Sequence, residues 1–115
     1  MERTLAGAGL VAAGGFLGAV TRYGVDVAAG DVTGLGTLLV NVLGSFVLGL
    51  LVTRVVDVRI RLLVGTGLVS SFTTYSTFAA ETVALDPTLA ALNVAGNYVL
   101  GFLAVLCART VVRWL

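Results

Sequence analysis

Residues 65–78 read GTGLVSSFTTYSTF. The stretch starts inside a long apolar run. It then sets Ser71, Phe72, Thr73, Thr74, Tyr75, Ser76, Thr77 and Phe78 side by side. A plain membrane helix carries Leu, Ile, Val and Ala at such positions. Backbone at membrane depth breaks its helix only where it is buried in protein or lines a water-filled cavity, and Ser and Thr can re-satisfy the groups set free. The stretch therefore reads as a helix interrupted at a functional site. The competing reading is an unbroken helix with a polar packing face, since Ser and Thr also mediate helix association in lipid.

The surrounding chain is that of an integral membrane protein. Of 115 residues, 58% are hydrophobic and 11% charged, and the mean hydropathy is +1.07. Soluble domains are about 25% charged, so this chain cannot cover a core with a water-facing shell. The length suits one domain, residues 1–115. A single Cys107 excludes an internal disulfide, and the chain has no His. No Cys/His/Asp/Glu set suits a transition metal, and no nucleophile–base pair indicates an enzyme. A net charge of +1 gives no footprint for nucleic acid.

Four apolar runs follow in order, at 4–23, 36–53, 62–85 and 88–112, each near the ~20 residues needed to cross a bilayer. The first contains Gly14 and Gly18, a GxxxG pair that admits close approach of another helix, and ends at Arg22 and Tyr23. Residues 24–35 are a connector, either a short amphipathic piece or a solvated loop. In the second run Thr37, Asn41, Gly44 and Ser45 share a stripe at helical spacing. A carboxamide there is costly unless paired, so Asn41 either bonds a neighbouring helix or belongs to a polar track. In the third run Tyr75, Phe78 and Glu81 share a face. Asp86-Pro87 is a turn. In the fourth run Asn93, Asn97 and Gly101 recur every four residues.

The expected architecture is all-α, with four transmembrane helices, a break in the third and both termini on one side. That side collects Arg3, Arg54, Arg59, Arg61, Arg109 and Arg113, against Arg22 alone on the other. The positive-inside rule then predicts cytoplasmic termini. The polar stripes bring amides, hydroxyls and aromatic edges together, with no titratable group near the middle of a helix. Proton-coupled transport normally uses an intramembrane carboxylate or His. Amide and hydroxyl donors, with the positive edges of aromatic rings, suit a small, hard anion that must be held firmly enough to shed water and loosely enough to leave.

The blocks GGFLGAVTRY (14–23), GTLLVNVLGSFVLG (36–49) and SSFTTYSTFAAE (70–81) resemble those of the CrcB/Fluc fluoride channels, in order and spacing, over essentially the whole chain. The resemblance implies a fluoride-specific channel that passively exports fluoride from the cytoplasm and so lowers its toxicity. It implies an antiparallel dimer of four-helix subunits in the cell membrane, with two fluoride paths along the subunit interface. Asn41 matches the pore Asn, with Thr37 one turn away. Tyr75 and Phe78 match two aromatics whose edges line the path, the first usually Phe. Ser76 and Thr77 belong to the hydroxyl track. Asn93 and Asn97 stand on the stripe where the fourth helix often carries Tyr and Ser hydroxyls, and Asn97 is assigned to the path. Arg22 and Glu81 match residues near its ends. The resemblance also implies a structural Na⁺ held by the main-chain carbonyls of Ser70 and Thr73, the first position usually being Gly.

An antiparallel homodimer requires one sequence to insert both ways. The Arg bias predicts a single orientation, and hence an oppositely oriented paralogue as partner in preference to a second copy. Two other readings compete. A small multidrug-type secondary transporter has similar length but needs a carboxylate within its first helix, and residues 5–23 contain none. A non-transporting membrane subunit would explain the glycines but not the aligned polar stripes.

Overall fold

The computed structural model describes residues 2–54 and 56–115. The described residues form helices and connectors, with no strand among them: α1 (Glu2–Ala29), α2 (Leu35–Thr53), α3 (Val58–Ile60), a π-helical segment (Arg61–Val69), α4 (Ser70–Phe72), α5 (Ser76–Ala84) and α6 (Pro87–Arg113). Three helices, α1 from Arg3, α2 and α6, are long and apolar enough to cross a membrane. At 1.5 Å per residue the 28 residues of α1 reach about 42 Å. The protein measures 50 × 32 × 21 Å.

Local chemistry sets the boundaries. Asp86 accepts from the Leu89 N–H at 2.9 Å, and Pro87 occupies the first turn of α6, where its missing N–H is harmless. Asp57 caps α3 by accepting from the Arg59 N–H at 2.8 Å. Where the sequence indicated a connector from residue 24, α1 runs on to Ala29. No Pro interrupts it before a left-handed Gly30 (φ 72°) stops it.

Packing follows the small residues. A Cβ at Gly14 would overlap the Leu63 carbonyl, one at Gly18 the Leu68 carbonyl, and one at Gly67 would lie 2.7 Å from the Val11 carbonyl. The backbones of α1 and the π-helical segment thus touch through Gly14, Gly18 and Gly67, as a small-residue interface allows. Against this pair, α2 and α6 form a second one, in close contact where Gly49 faces Ala108. The interruption between α4 and α5 lets the third segment change neighbours. Its first half lies on α1, and α5 crosses to α6.

The core is small: Val40, Val69, Phe72, Phe78, Ala104 and Ala108. Large apolar side chains instead line the exterior, among them Phe16, Val27, Leu92, Phe102 and Leu106. That distribution suits a hydrocarbon surround.

Candidate functional site at the helix break

The third segment opens at Thr73, whose backbone is extended (φ −83°, ψ 160°), and helix resumes at Ser76. Asn41 from α2 fills the gap. Its Oδ1 accepts from the Thr74 N–H at 2.9 Å and its Nδ2 donates to the Thr74 carbonyl at 3.0 Å. A carboxamide presents the donor and acceptor of a peptide, so Asn41 replaces what the broken helix withdraws. Gly44, one turn on, leaves room for this approach, since a Cβ there would overlap the Thr73 methyl.

The break also redirects N–H groups. In a regular helix the Ser70 and Thr73 carbonyls would accept from residues 74 and 77. Here the Thr74 N–H goes to Asn41, and the Thr77 N–H goes to Thr74 Oγ1 at 3.2 Å. Ser70 itself holds ordinary right-handed helical geometry (φ −62°, ψ −33°), a conformation open to any L-residue without backbone strain.

A line of carboxamides leads away from Asn41. Its Nδ2 also donates to Asn97 Oδ1 at 3.3 Å. Asn97 Nδ2 donates to the Asn93 carbonyl at 2.8 Å and to Asn93 Oδ1 at 3.2 Å. Asn93 Nδ2 donates to Thr82 Oγ1 at 2.9 Å, and that hydroxyl donates to the Phe78 carbonyl at 2.8 Å. The aromatic rings form a second line. Phe78 meets Tyr75 at 5.9 Å between centroids and Tyr98 edge-on at 6.2 Å.

Two clefts flank Thr74. The larger, about 490 Å³, is bordered by Asn41, Thr74, Tyr75, Phe78, Asn97 and Tyr98 among others. The smaller, about 180 Å³, is bordered by Arg22, Tyr23, Asp26, Thr37, Thr74 and Thr77. Asn41, Tyr75, Phe78 and Asn97 are thus brought together, while Thr37, Thr77 and Arg22 lie across Thr74 from them. Ser76 borders neither cleft; its hydroxyl lies 3.5 Å from that of Thr74. Tyr75 is 73% exposed on the chain's surface, whereas Phe78 is 7% exposed.

Glu81 serves α2. Its Oε2 accepts from the Gly34 N–H at 2.7 Å, and its Oε1 accepts from the Thr37 hydroxyl. Gly34 is the N-cap of α2 and has no side chain to cap with. A carboxylate from α5 thus satisfies the helix start and complements its positive end. Thr37, 4% exposed, is the buried polar side chain among the described residues.

Thr74 is the residue that sequence reasoning undervalued. It touches both clefts, and its peptide is the partner of Asn41. Its place at the centre of the hydroxylic run was the available signal. Asn93, on the fourth-run stripe, proves to be a contact point within the carboxamide line, and Tyr98, next to Asn97 in the chain, one within the aromatic line.

Fold and site together define an all-helical membrane protein whose polar side chains converge on a break in one helix. The profile of the family described as CrcB-like protein, Camphor Resistance (CrcB), matches residues 9–109. The chain belongs to that family. It is 58% identical over 110 residues to the fluoride-specific ion channel FluC 1 of Natronomonas pharaonis, covering 91% of this chain and 92% of the relative. It is 51% identical over 109 residues to FluC 1 of Haloarcula marismortui (90% and 84% covered). It is 45% identical over 114 residues to FluC 2 of the same organism (95% and 96%).

Proposed function

We propose that this chain is a fluoride-specific ion channel that passively exports fluoride across the cell membrane and thereby keeps its cytoplasmic level low. The observation that carries the proposal is the Asn41–Thr74 clamp at a helix break, flanked by amides and aromatic edges, in a family whose relatives bear that name. The pathway follows Thr37, Asn41, Tyr75, Ser76, Thr77, Phe78 and Asn97, with Arg22 and Glu81 near its ends. Neutral donors suit the task. Bonds to an anion are charge-assisted and stronger than neutral ones, while a fixed cation in the path would hold the ion too long for conduction. No proton step is needed, because fluoride moves down its own gradient. The small multidrug-type reading is not favoured, since residues 5–23 of α1 hold no carboxylate.

The functional unit in this proposal has four spans per subunit, α1, α2, the broken third segment and α6, and two subunits in inverted orientation. Tyr75, exposed on the single chain, would then face the partner. The distribution of Arg residues favours cytoplasmic termini and a fixed orientation, and hence a paralogue as partner in place of a second copy. The naming of two relatives in one organism, FluC 1 and FluC 2 of Haloarcula marismortui, supports pairing of distinct chains. A structural Na⁺ fits the carbonyls of Ser70 and Thr73. Both have given up their helical N–H partners to side chains, and oxygen is the donor a hard cation takes. The ion would tie the break of one subunit to that of the other.

Expression in a bacterium lacking its own fluoride exporter tests the function. The chain, alone or with an oppositely biased paralogue, is expected to restore growth in fluoride, and Asn41→Asp to abolish the rescue. Absence of rescue by folded, membrane-inserted wild-type protein in both settings would contradict the proposal.

A further inference from the structure

The hydrogen bonds from Asn41 to Phe78 run in one direction. Two fixed ends dictate that direction. The Thr74 N–H can only donate, so Asn41 turns Oδ1 toward it and Nδ2 toward α6. The Phe78 carbonyl can only accept, so Thr82 gives it its proton and receives Asn93 Nδ2. Between these ends Asn97 must show Oδ1 to Asn41 and Nδ2 to Asn93. Carboxamide orientation is set by the network in this way.

This polarity opposes an anion. Beside Asn41 the larger cleft presents a carbonyl oxygen of Asn97, not a donor. Both N–H bonds of Asn41 are already engaged, one to Thr74 at 3.0 Å and one to Asn97 at 3.3 Å. The second is the longest bond in the line and the weakest hold on a donor.

Building on the fluoride reading above, we propose that the line reverses as a unit when the anion arrives, with Asn93 and Thr82 as the positioning residues that allow it. Asn97 turns its Nδ2 toward the ion beside that of Asn41. Asn93 turns to donate to Asn97 Oδ1, and the Thr82 hydroxyl swings from the Phe78 carbonyl to Asn93 Oδ1. No proton changes owner. Every amide oxygen keeps a donor, and the ion gains a second N–H. The Thr82 hydroxyl is the swivel, because it alone in the line can donate in either direction without moving its heavy atom.

The reversal also discriminates between anions. Turning Asn97 breaks both of its bonds to Asn93. A compact anion that accepts strong hydrogen bonds repays that cost, and a larger, weaker acceptor such as chloride does not. Asn93 and Thr82 border neither cleft, so they act through Asn97.

The test compares Thr82→Val, which keeps shape and removes the swivel, with Thr82→Ser, which keeps the hydroxyl. Both are purified as assembled channels and compared by elution volume and helical content. Fluoride efflux from liposomes is expected to fall about tenfold in Thr82→Val, the scale of one lost hydrogen bond, and to return in Thr82→Ser. Side-chain amide NMR supplies a readout that structural support alone would not move. Fluoride, but not chloride, is expected to shift the Asn41, Asn97 and Asn93 resonances in wild type. In Thr82→Val the Asn93 shift disappears. Wild-type conduction with equal flux and equal Asn93 shifts in Thr82→Val would overturn the reversal and leave the channel reading intact. A wild type that neither conducts nor shifts with fluoride would overturn both.

Discussion

The carboxamide of Asn41 grips the Thr74 peptide from both sides, accepting its N–H at 2.9 Å and donating to its carbonyl at 3.0 Å. The helix break therefore depends on a residue 33 positions earlier in the chain. Asn41→Ala leaves both groups unpaired. At roughly 1–3 kcal/mol each, the variant is expected to lose about 2–6 kcal/mol of stability, read by unfolding in detergent. Asn41→Asp keeps the acceptor but turns an oxygen toward the Thr74 carbonyl and Asn97 Oδ1, so it is expected to lose part of that stability and to fail in transport. Conduction by Asn41→Asp at wild-type rate would remove Asn41 from the path.

Glu81 acts as a cap supplied from another helix. Glu81→Ala orphans the Gly34 N–H and the Thr37 hydroxyl. The expected cost is about 1–3 kcal/mol. Glu81→Gln keeps one acceptor and is expected to recover part of it. Thermal unfolding of the three proteins side by side checks the order, and equal midpoints would refute the cap.

The backbone contact between α1 and the π-helical segment predicts a contrast between glycines. Gly14→Leu and Gly18→Leu force side chains into the Leu63 and Leu68 carbonyls and are expected to abolish monodisperse protein. A Cβ at Gly9 meets nothing within 4 Å, and Gly9→Ala is expected to stabilise α1 slightly, by up to ~1 kcal/mol. Size-exclusion profiles in detergent read the difference.

Tyr75 and Phe78 differ in burial, and the expected effects differ accordingly. Tyr75→Phe removes a hydroxyl and keeps the ring, so fluoride efflux is expected to stay within about twofold. Phe78→Ala removes a buried ring at the centre of the aromatic line, costing roughly 3–5 kcal/mol of packing. Phe78→Leu, which largely preserves apolar volume, is the variant for efflux. Its flux is expected to fall about tenfold through loss of the ring edge alone.

The break was legible because a hydroxyl run makes no sense on a lipid-facing helix. The Asn stripes were legible from spacing. The partner of Asn41 was not, because periodicity says which face a residue occupies and nothing of which backbone it meets. Glu81 could be placed on the Phe78 face, but its bond to the start of α2 spans 47 positions. The nine-residue π-helical segment left no trace either, since its apolar run looks the same at either helical pitch. Arg22-Tyr23 resembles a membrane boundary and so places the end of α1 too early, whereas helix continues to Ala29 and stops only where Gly30 adopts positive φ.

The proposed function rests on a fluoride path through the break clamped by Asn41 and Thr74. Liposomes loaded with potassium fluoride or potassium chloride test it most directly, with efflux followed by electrode after a K⁺ ionophore is added. The chain is reconstituted alone and with an oppositely biased paralogue. Rapid fluoride efflux without chloride efflux is predicted, in the mixture if orientation is fixed, and its loss in Asn41→Asp. Silence in both preparations, or chloride efflux matching that of fluoride, would contradict the account.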